Sequence, residues 1–189
     1  RNNASGLIVC LMMFILLPGG SAPFAQPAPA AAPTLDLYYI GNRQSAIEPC
    51  GCRTKEQGGV ELEAILYDNR PGEPSLRLDA GEWSTPYVAA TPLNSLKSRF
   101  LLRALGLMKY DAVNVGISDL ELGSAWFADM AGKYPDVTAM LVSANIYETA
   151  HPDKRAFPAT KILTRQLAGG RTVRIGVTGV TSTQPLLAV

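Results

Sequence analysis

SLRLDAGE, residues 75–82, reads as a short strand that runs into a glycine turn with two carboxylates beside it, Asp79 and Glu82. Working upstream, LDLYYIG (35–41) is another compact apolar run ending in glycine, which suits a buried strand. Between the two, Val60, Leu62, Ala64, Ile65 and Leu66 predict a helix, stopped by the breaker cluster NRPGEP (69–74). Downstream, Leu96, Phe100, Leu101, Ala104, Leu105 and Met108 recur at helical spacing and predict one buried face. DAVNVG (111–116) predicts a third strand. Trp126, Phe127, Met130 and Ala131 predict a helix closed by KYPD, and TAMLVSAN (138–145) a fourth strand. The tail, 159–180, holds two β-rich runs around Ala168-Gly169-Gly170, a hairpin pattern.

Strand and helix alternate, the order of an α/β sheet with crossover helices. In such sheets ligands sit beyond the carboxyl ends of the strands. Three turns fall there: Gly41-Asn42, Asp79-Ala80-Gly81-Glu82 and Gly116-Ile117-Ser118-Asp119. They are expected to converge on one site.

The chain has 189 residues, enough for one domain with a core, and a formal net charge of +1. No Lys/Arg cluster forms an electrostatic footprint, which argues against a nucleic-acid partner. The apolar run Leu7–Leu17 ahead of Pro18-Gly19-Gly20 covers only about half of a bilayer core and reads as the hydrophobic part of a signal peptide. The expected organisation is therefore a signal peptide or short anchor over residues 1–25, a Pro/Ala-rich tether over 26–34 and a domain over 35–189. Export to the periplasm or another extracytoplasmic space follows, with membrane contact only through the N-terminal segment.

The order of these motifs resembles the 5'-nucleotidase branch of the calcineurin-like metallophosphoesterases. The resemblance is carried by GNRQSAIEP (41–49), QGGVELEAIL (57–66), LRLDAGE (76–82), MKYDAVNVGISDLELG (108–123), LVSANI (141–146) and VRIGVTGVT (173–181). It implies a metallophosphoesterase-like sandwich of two mixed sheets flanked by helices, here its N-terminal part. It also implies hydrolysis of a small phosphorylated molecule at two divalent metals held by Asp, His and Asn. The positions matching the family's Asp-x-His are Asn42 and Gln44; its bridging Gly-Asp is Gly81-Glu82; its Gly-Asn-His-Glu is Gly116-Ile117-Ser118-Asp119. With Asp79 these are the metal-ligand positions that the resemblance implies, but two carry neutral amides. The chain has one histidine, His151, in a loop away from every matched motif and expected to be solvated. These replacements argue against ordinary phosphatase activity.

Cys50 and Cys52 stand one residue apart behind Glu48-Pro49. A subset of exported proteins similar to this family carries the same Glu-Pro-Cys-Gly-Cys. Three readings stay open: a small-ring, oxidising disulfide; thiolate ligation of a metal with Glu48, Asp79, Glu82 or Asp119; and an inert turn. A redox partner or downstream domain would suit the first two. Gly58-Gly59 fits an anion-binding helix start or a tight turn, with the turn favoured. Ser118-x-x-Glu121 fits a capping box, and Trp83 a half-buried loop aromatic.

Overall fold

A computed structural model describes residues 32–51, 54–69, 74–85 and 91–182. The expected signal segment, most of the tether and Cys52 lie outside them. The unit that begins at Pro33 carries all of the regular structure given below.

Strands β1 (Asp36–Ile40), β2 (Ser75–Asp79), β3 (Ala112–Asn114) and β4 (Leu141–Val142) form a parallel sheet in spatial order 1-2-3-4. The crossovers are α1 (Val60–Asp68), α2 (Pro92–Leu107), and the run α3 (Ile117–Leu120), α4 (Ser124–Lys133) and α5 (Pro135–Thr138). Two further strands, β5 (Thr160–Gln166) and β6 (Thr172–Thr178), make an antiparallel hairpin closed by a turn at Ala168–Gly170. The sandwich thus has two sheets, and among the described residues one is wholly parallel and the other wholly antiparallel, rather than each mixing both.

Register brings the strand ends level. Ile40 pairs with Asp79, Asp79 with Val113, and Asn114 with Val142. All the loops beyond them therefore leave one edge of the sheet.

Side chains alternate across the strands. On the helix side, Val113 and Leu141 pack with Leu101, Leu102 and Leu105 of α2 and with Trp126 and Met130 of α4. Trp83 joins them, 0% exposed, within an aromatic group of Trp126, Phe127 and Phe157. The expectation of a half-buried Trp83 is corrected: its indole Nε1 donates to the Asn114 carbonyl (3.3 Å), so it enters the core with its polar atom satisfied.

The hairpin is fastened to the sheet by polar anchors. Lys161 Nζ donates to the carbonyls of Asp111 (2.8 Å) and Ala139 (3.0 Å), and Arg165 Nε to that of Ser75 (2.7 Å). At the other end Asn114 Nδ2 donates to Ala80 and Val180 carbonyls.

Three element expectations change. β1, expected to be buried, is the edge strand of the parallel sheet among the described residues and leaves Leu37 and Tyr39 exposed. The buried face of α2 is Asn94, Ser98, Leu101, Leu102 and Leu105, while Leu96 and Phe100 are 62% and 51% exposed. The face is rotated because small polar residues, not the bulky apolar ones, turn inward, Asn94 towards Ser45 in the loop after β1. The fourth strand shrinks to Leu141–Val142. After it Ser143 N turns to the Pro158 carbonyl and Ala144 N to that of Gly179, ending the ladder.

Candidate functional site

The three turns meet as expected. Asn42 N donates to the Gly81 carbonyl (2.8 Å), Gln44 N to that of Glu82 (3.0 Å) and Ser45 N to that of Trp83 (2.9 Å). Glu82 N in turn donates to Asp119 Oδ2 (3.0 Å), and Ile117 N to Glu82 Oε1 (2.8 Å). The approach is close: a Cβ on Gly116 would stand 2.5 Å from Glu82 Oε1. Asn42, Gln44, Ser45 and Glu82 all hold positive φ, between 48° and 60°. Such a conformation costs a non-glycine residue about 1 kcal/mol or more, and clustered strain of this kind gathers at functional sites.

Left-handed residues on either side of Arg43 decide what faces inward. Asn42 and Gln44 are exposed and bond to each other, Gln44 Nε2 donating to Asn42 Oδ1 (2.9 Å). Arg43, between them, is buried. Its Nε donates to Asp79 Oδ2 (2.6 Å), one terminal nitrogen to Glu63 Oε2 (2.6 Å), and the other to Glu63 Oε1 (3.0 Å) and the Tyr110 hydroxyl (2.8 Å). Tyr110 also donates to Glu63 Oε1, and the hydroxyls of Tyr67 and Tyr110 meet at 3.0 Å. The planar guanidinium fork thus serves two carboxylates at once, which an ammonium could not do with the same geometry.

Burial opposes the charge on Arg43, but the Glu63 hydrogen bond and the charge of Asp79 outweigh it and raise its pKa. Burial also pushes Glu63 up, yet its bonds from Arg43 and Tyr110 prevail and hold it below the ordinary carboxylate range. Asp79 is raised by burial, against the pull of Arg43. Tyr67 is pushed up to about 12, chiefly by burial.

The remaining carboxylates are engaged elsewhere. Glu82 accepts from Ile117 N, from Ser118 N (3.0 Å) and from the Ser118 hydroxyl, and so closes the amino end of α3. Asp119, wholly buried, accepts from Gly116 N (2.7 Å), Glu82 N and Ser84 N (2.7 Å). Burial pushes its pKa up to about 8, against the amides of Ser84 and Gly116 and with the charges of Glu82 and Asp79 adding to the rise. The expected Ser118–Glu121 capping box is replaced by this arrangement, because Ser118 lies inside α3 and Gly116 is its N-cap.

A dinuclear metal centre does not fit these residues. Asp79 faces a guanidinium, Glu82 and Asp119 face amide donors, and Asn42 and Gln44 face solvent. Among the described residues no group of three or more His, Cys, Asp or Glu is placed to hold a metal ion. His151 is exposed.

The cysteine loop leaves from the same edge. Its base is tied by Val60 N to the Ile47 carbonyl (2.9 Å) and by Cys50 N to that of Gln57 (2.8 Å). Gly59, at φ 78°, lies so close that a Cβ would stand 2.5 Å from Pro49 N, which supports the tight-turn reading of the glycine pair. Cys50 and Glu48 lie at the surface, Cys50 exposed. The residue that sequence reasoning missed is Arg43. Its signal was a lone arginine between the two amides that stand at the resemblance's metal-ligand positions.

No protein-family model matches the chain, and no curated protein is significantly similar to it in sequence. Solved structures are similar in fold. A 5'-nucleotidase precursor from Thermus thermophilus superposes with a TM-score of 0.57 at 23% identity, over 78% of this chain and 28% of its own. The calcineurin-like phosphoesterase YfkN from Bacillus subtilis gives 0.52 at 15% identity, over 78% and 48%. This is the calcineurin-like metallophosphoesterase fold. The sulfate thiohydrolase SoxB of Thermus thermophilus, solved with glycerol, shares it at 0.55 and 16% identity, over 78% and 35%. The chain spans between 28% and 48% of the length of these three proteins. No helix among the described residues is long and apolar enough to cross a membrane.

Proposed function

We propose that this is an exported domain on a metallophosphoesterase scaffold that does not hydrolyse phosphate esters, and whose working group is the Cys50–Cys52 pair. The observation that carries the first half is the seat of Arg43: its guanidinium supplies, from within the chain, the positive charge that Asp79 and Glu63 need. The other two acids at the strand ends serve amides rather than open coordination positions. A hydroxide-delivering metal pair has no ligand set left to build on among the described residues.

The second half rests on the sequence and on the exposed position of Cys50 in the loop between β1 and α1. In an exported, oxidising setting such a dithiol can close to a disulfide, releasing two protons and passing two electrons to a partner disulfide. Ligation of a soft metal by the same thiolates is the other use. Export itself is supported by the apolar run at 7–17 and by a structural neighbour being a precursor protein.

A second reading is a hydrolase of phosphate esters with an altered site, favoured by the names of the 5'-nucleotidase and phosphoesterase neighbours. The discriminating experiment pairs two assays on the purified protein. Thiol titration with and without reductant is expected to differ by two thiols, or to show two thiols protected by bound metal. Phosphate release from nucleotides is expected to stay at background with Mg2+, Mn2+ or Zn2+. Metal-stimulated turnover would overturn the proposal in favour of the second reading.

A further inference from the structure

At the opposite end of the sheet, where β2 and β3 begin, a cavity of about 400 Å³ is lined by Pro74, Ser75, Arg77, Lys109, Asp111 and Arg165. We infer that it is a binding site for a dianionic oxyanion, a phosphate or phosphate-monoester group. Among the described lining residues three cationic side chains meet one carboxylate, an excess of positive charge that suits a dianion better than a monocarboxylate.

The cations of the two arginines are held in place rather than trailing in solvent. Arg165 donates from Nε to the Ser75 carbonyl (2.7 Å), from one terminal nitrogen to that of Thr164 (3.1 Å), and from the other to Asp111. Asp111 is further committed, accepting from Arg77 N (3.0 Å). The guanidinium of Arg77 stacks on the Tyr67 ring at 4.2 Å, and one terminal nitrogen donates to the Met108 carbonyl. Its Nε is buried with no hydrogen-bond partner among the described residues. The Nε edge of a guanidinium can grip an oxyanion with two parallel hydrogen bonds. On Arg77 the Nε hydrogen is left over from the protein's own bonding among the described residues, and binding needs a small shift of the side chain to present it.

Lys109 completes the set. It follows the C-cap of α2 at φ 58°, its N donating to the Gly106 carbonyl (2.9 Å), the left-handed position that glycine usually fills. A lysine there also complements the helix dipole, and that role alone would need no anion. The site lies at the other end of the sheet from the cysteine loop, and Tyr67, on which Arg77 stacks, links it to the Glu63–Arg43 cluster.

The test titrates the full chain with inorganic phosphate, and separately with glycerol phosphate, against chloride at matched ionic strength, reading the thermal midpoint. Phosphate is expected to raise the midpoint where chloride does not. Lys109→Gly, which suits the left-handed backbone and keeps the fold, is expected to weaken phosphate binding about tenfold, and Arg77→Lys to weaken it comparably. Glycerol phosphate binding as tightly as phosphate assigns the site to an esterified group; its exclusion assigns free phosphate. No phosphate effect beyond chloride, or an equal effect on the wild type and Lys109→Gly, would overturn the inference.

Discussion

Arg43 shows how one residue sets the chemistry of a site. Its side chain and that of Asp79 are 5% and 0% exposed, and that of Glu63 is 11% exposed, so none of the three charges is well solvated. Replacing Arg43 by Met strands two carboxylates in low dielectric. We expect a loss of about 3–5 kcal/mol in chemical denaturation at neutral pH. Adding Asp79→Asn and Glu63→Gln should recover part of it, since the stranded charge is then removed. Asp119 makes a second residue-scale prediction. Its folded pKa, about 8, lies above that of an unfolded aspartate, so the folded state holds the proton more tightly. Its contribution is fully present below about pH 4 and is lost as pH rises towards 8. A 13C titration of the Asp119 carboxyl should show a midpoint near pH 8; an ordinary aspartate midpoint would refute this. The sequence exposes the acids but not their partners. An arginine between polar neighbours looks solvated, and Glu63 lies on α1, with no local spacing linking them.

At the scale of elements, α3 is held by side chains from both outside and within it. Four residues make too short a helix to persist alone, and Glu82 with Asp119 satisfies the amides at its amino end. Glu82 stands where the resemblance places a bridging aspartate, and its extra methylene lets the carboxylate reach Ile117 and Ser118. Glu82→Asp should fall short of those amides and cost about 1 kcal/mol, seen as a lower denaturation midpoint and faster hydrogen exchange at Ile117 and Ser118. Strands β1, β2 and β3 were legible because each is a short apolar run that ends at or close to a glycine turn. The face of α2 was not. Helical spacing selects Leu96 and Phe100 as readily as Leu101 and Leu105, and only the tertiary packing that buries Asn94 and Ser98 chooses between them.

For the whole molecule, the order of motifs along the sequence sufficed to find the fold, because a parallel sheet places successive loops at one edge whatever those loops contain. The contents of the loops, not the scaffold, then decide function. Here the strand-end acids are neutralised or hydrogen-bonded from within the chain, and Cys50 is exposed in the loop that follows β1, pinned at its base by Gly59. Among the described residues β1 is an edge strand, with Leu37 and Tyr39 56% and 79% exposed. Metal stoichiometry tests this account most directly. The Cys50→Ser, Cys52→Ser variant, dialysed at neutral pH against Mn2+ or Zn2+ and assayed for metal, should retain none, because Arg43 and the loop amides already occupy Asp79, Glu82 and Asp119. Two tightly held ions per chain in that variant would contradict it.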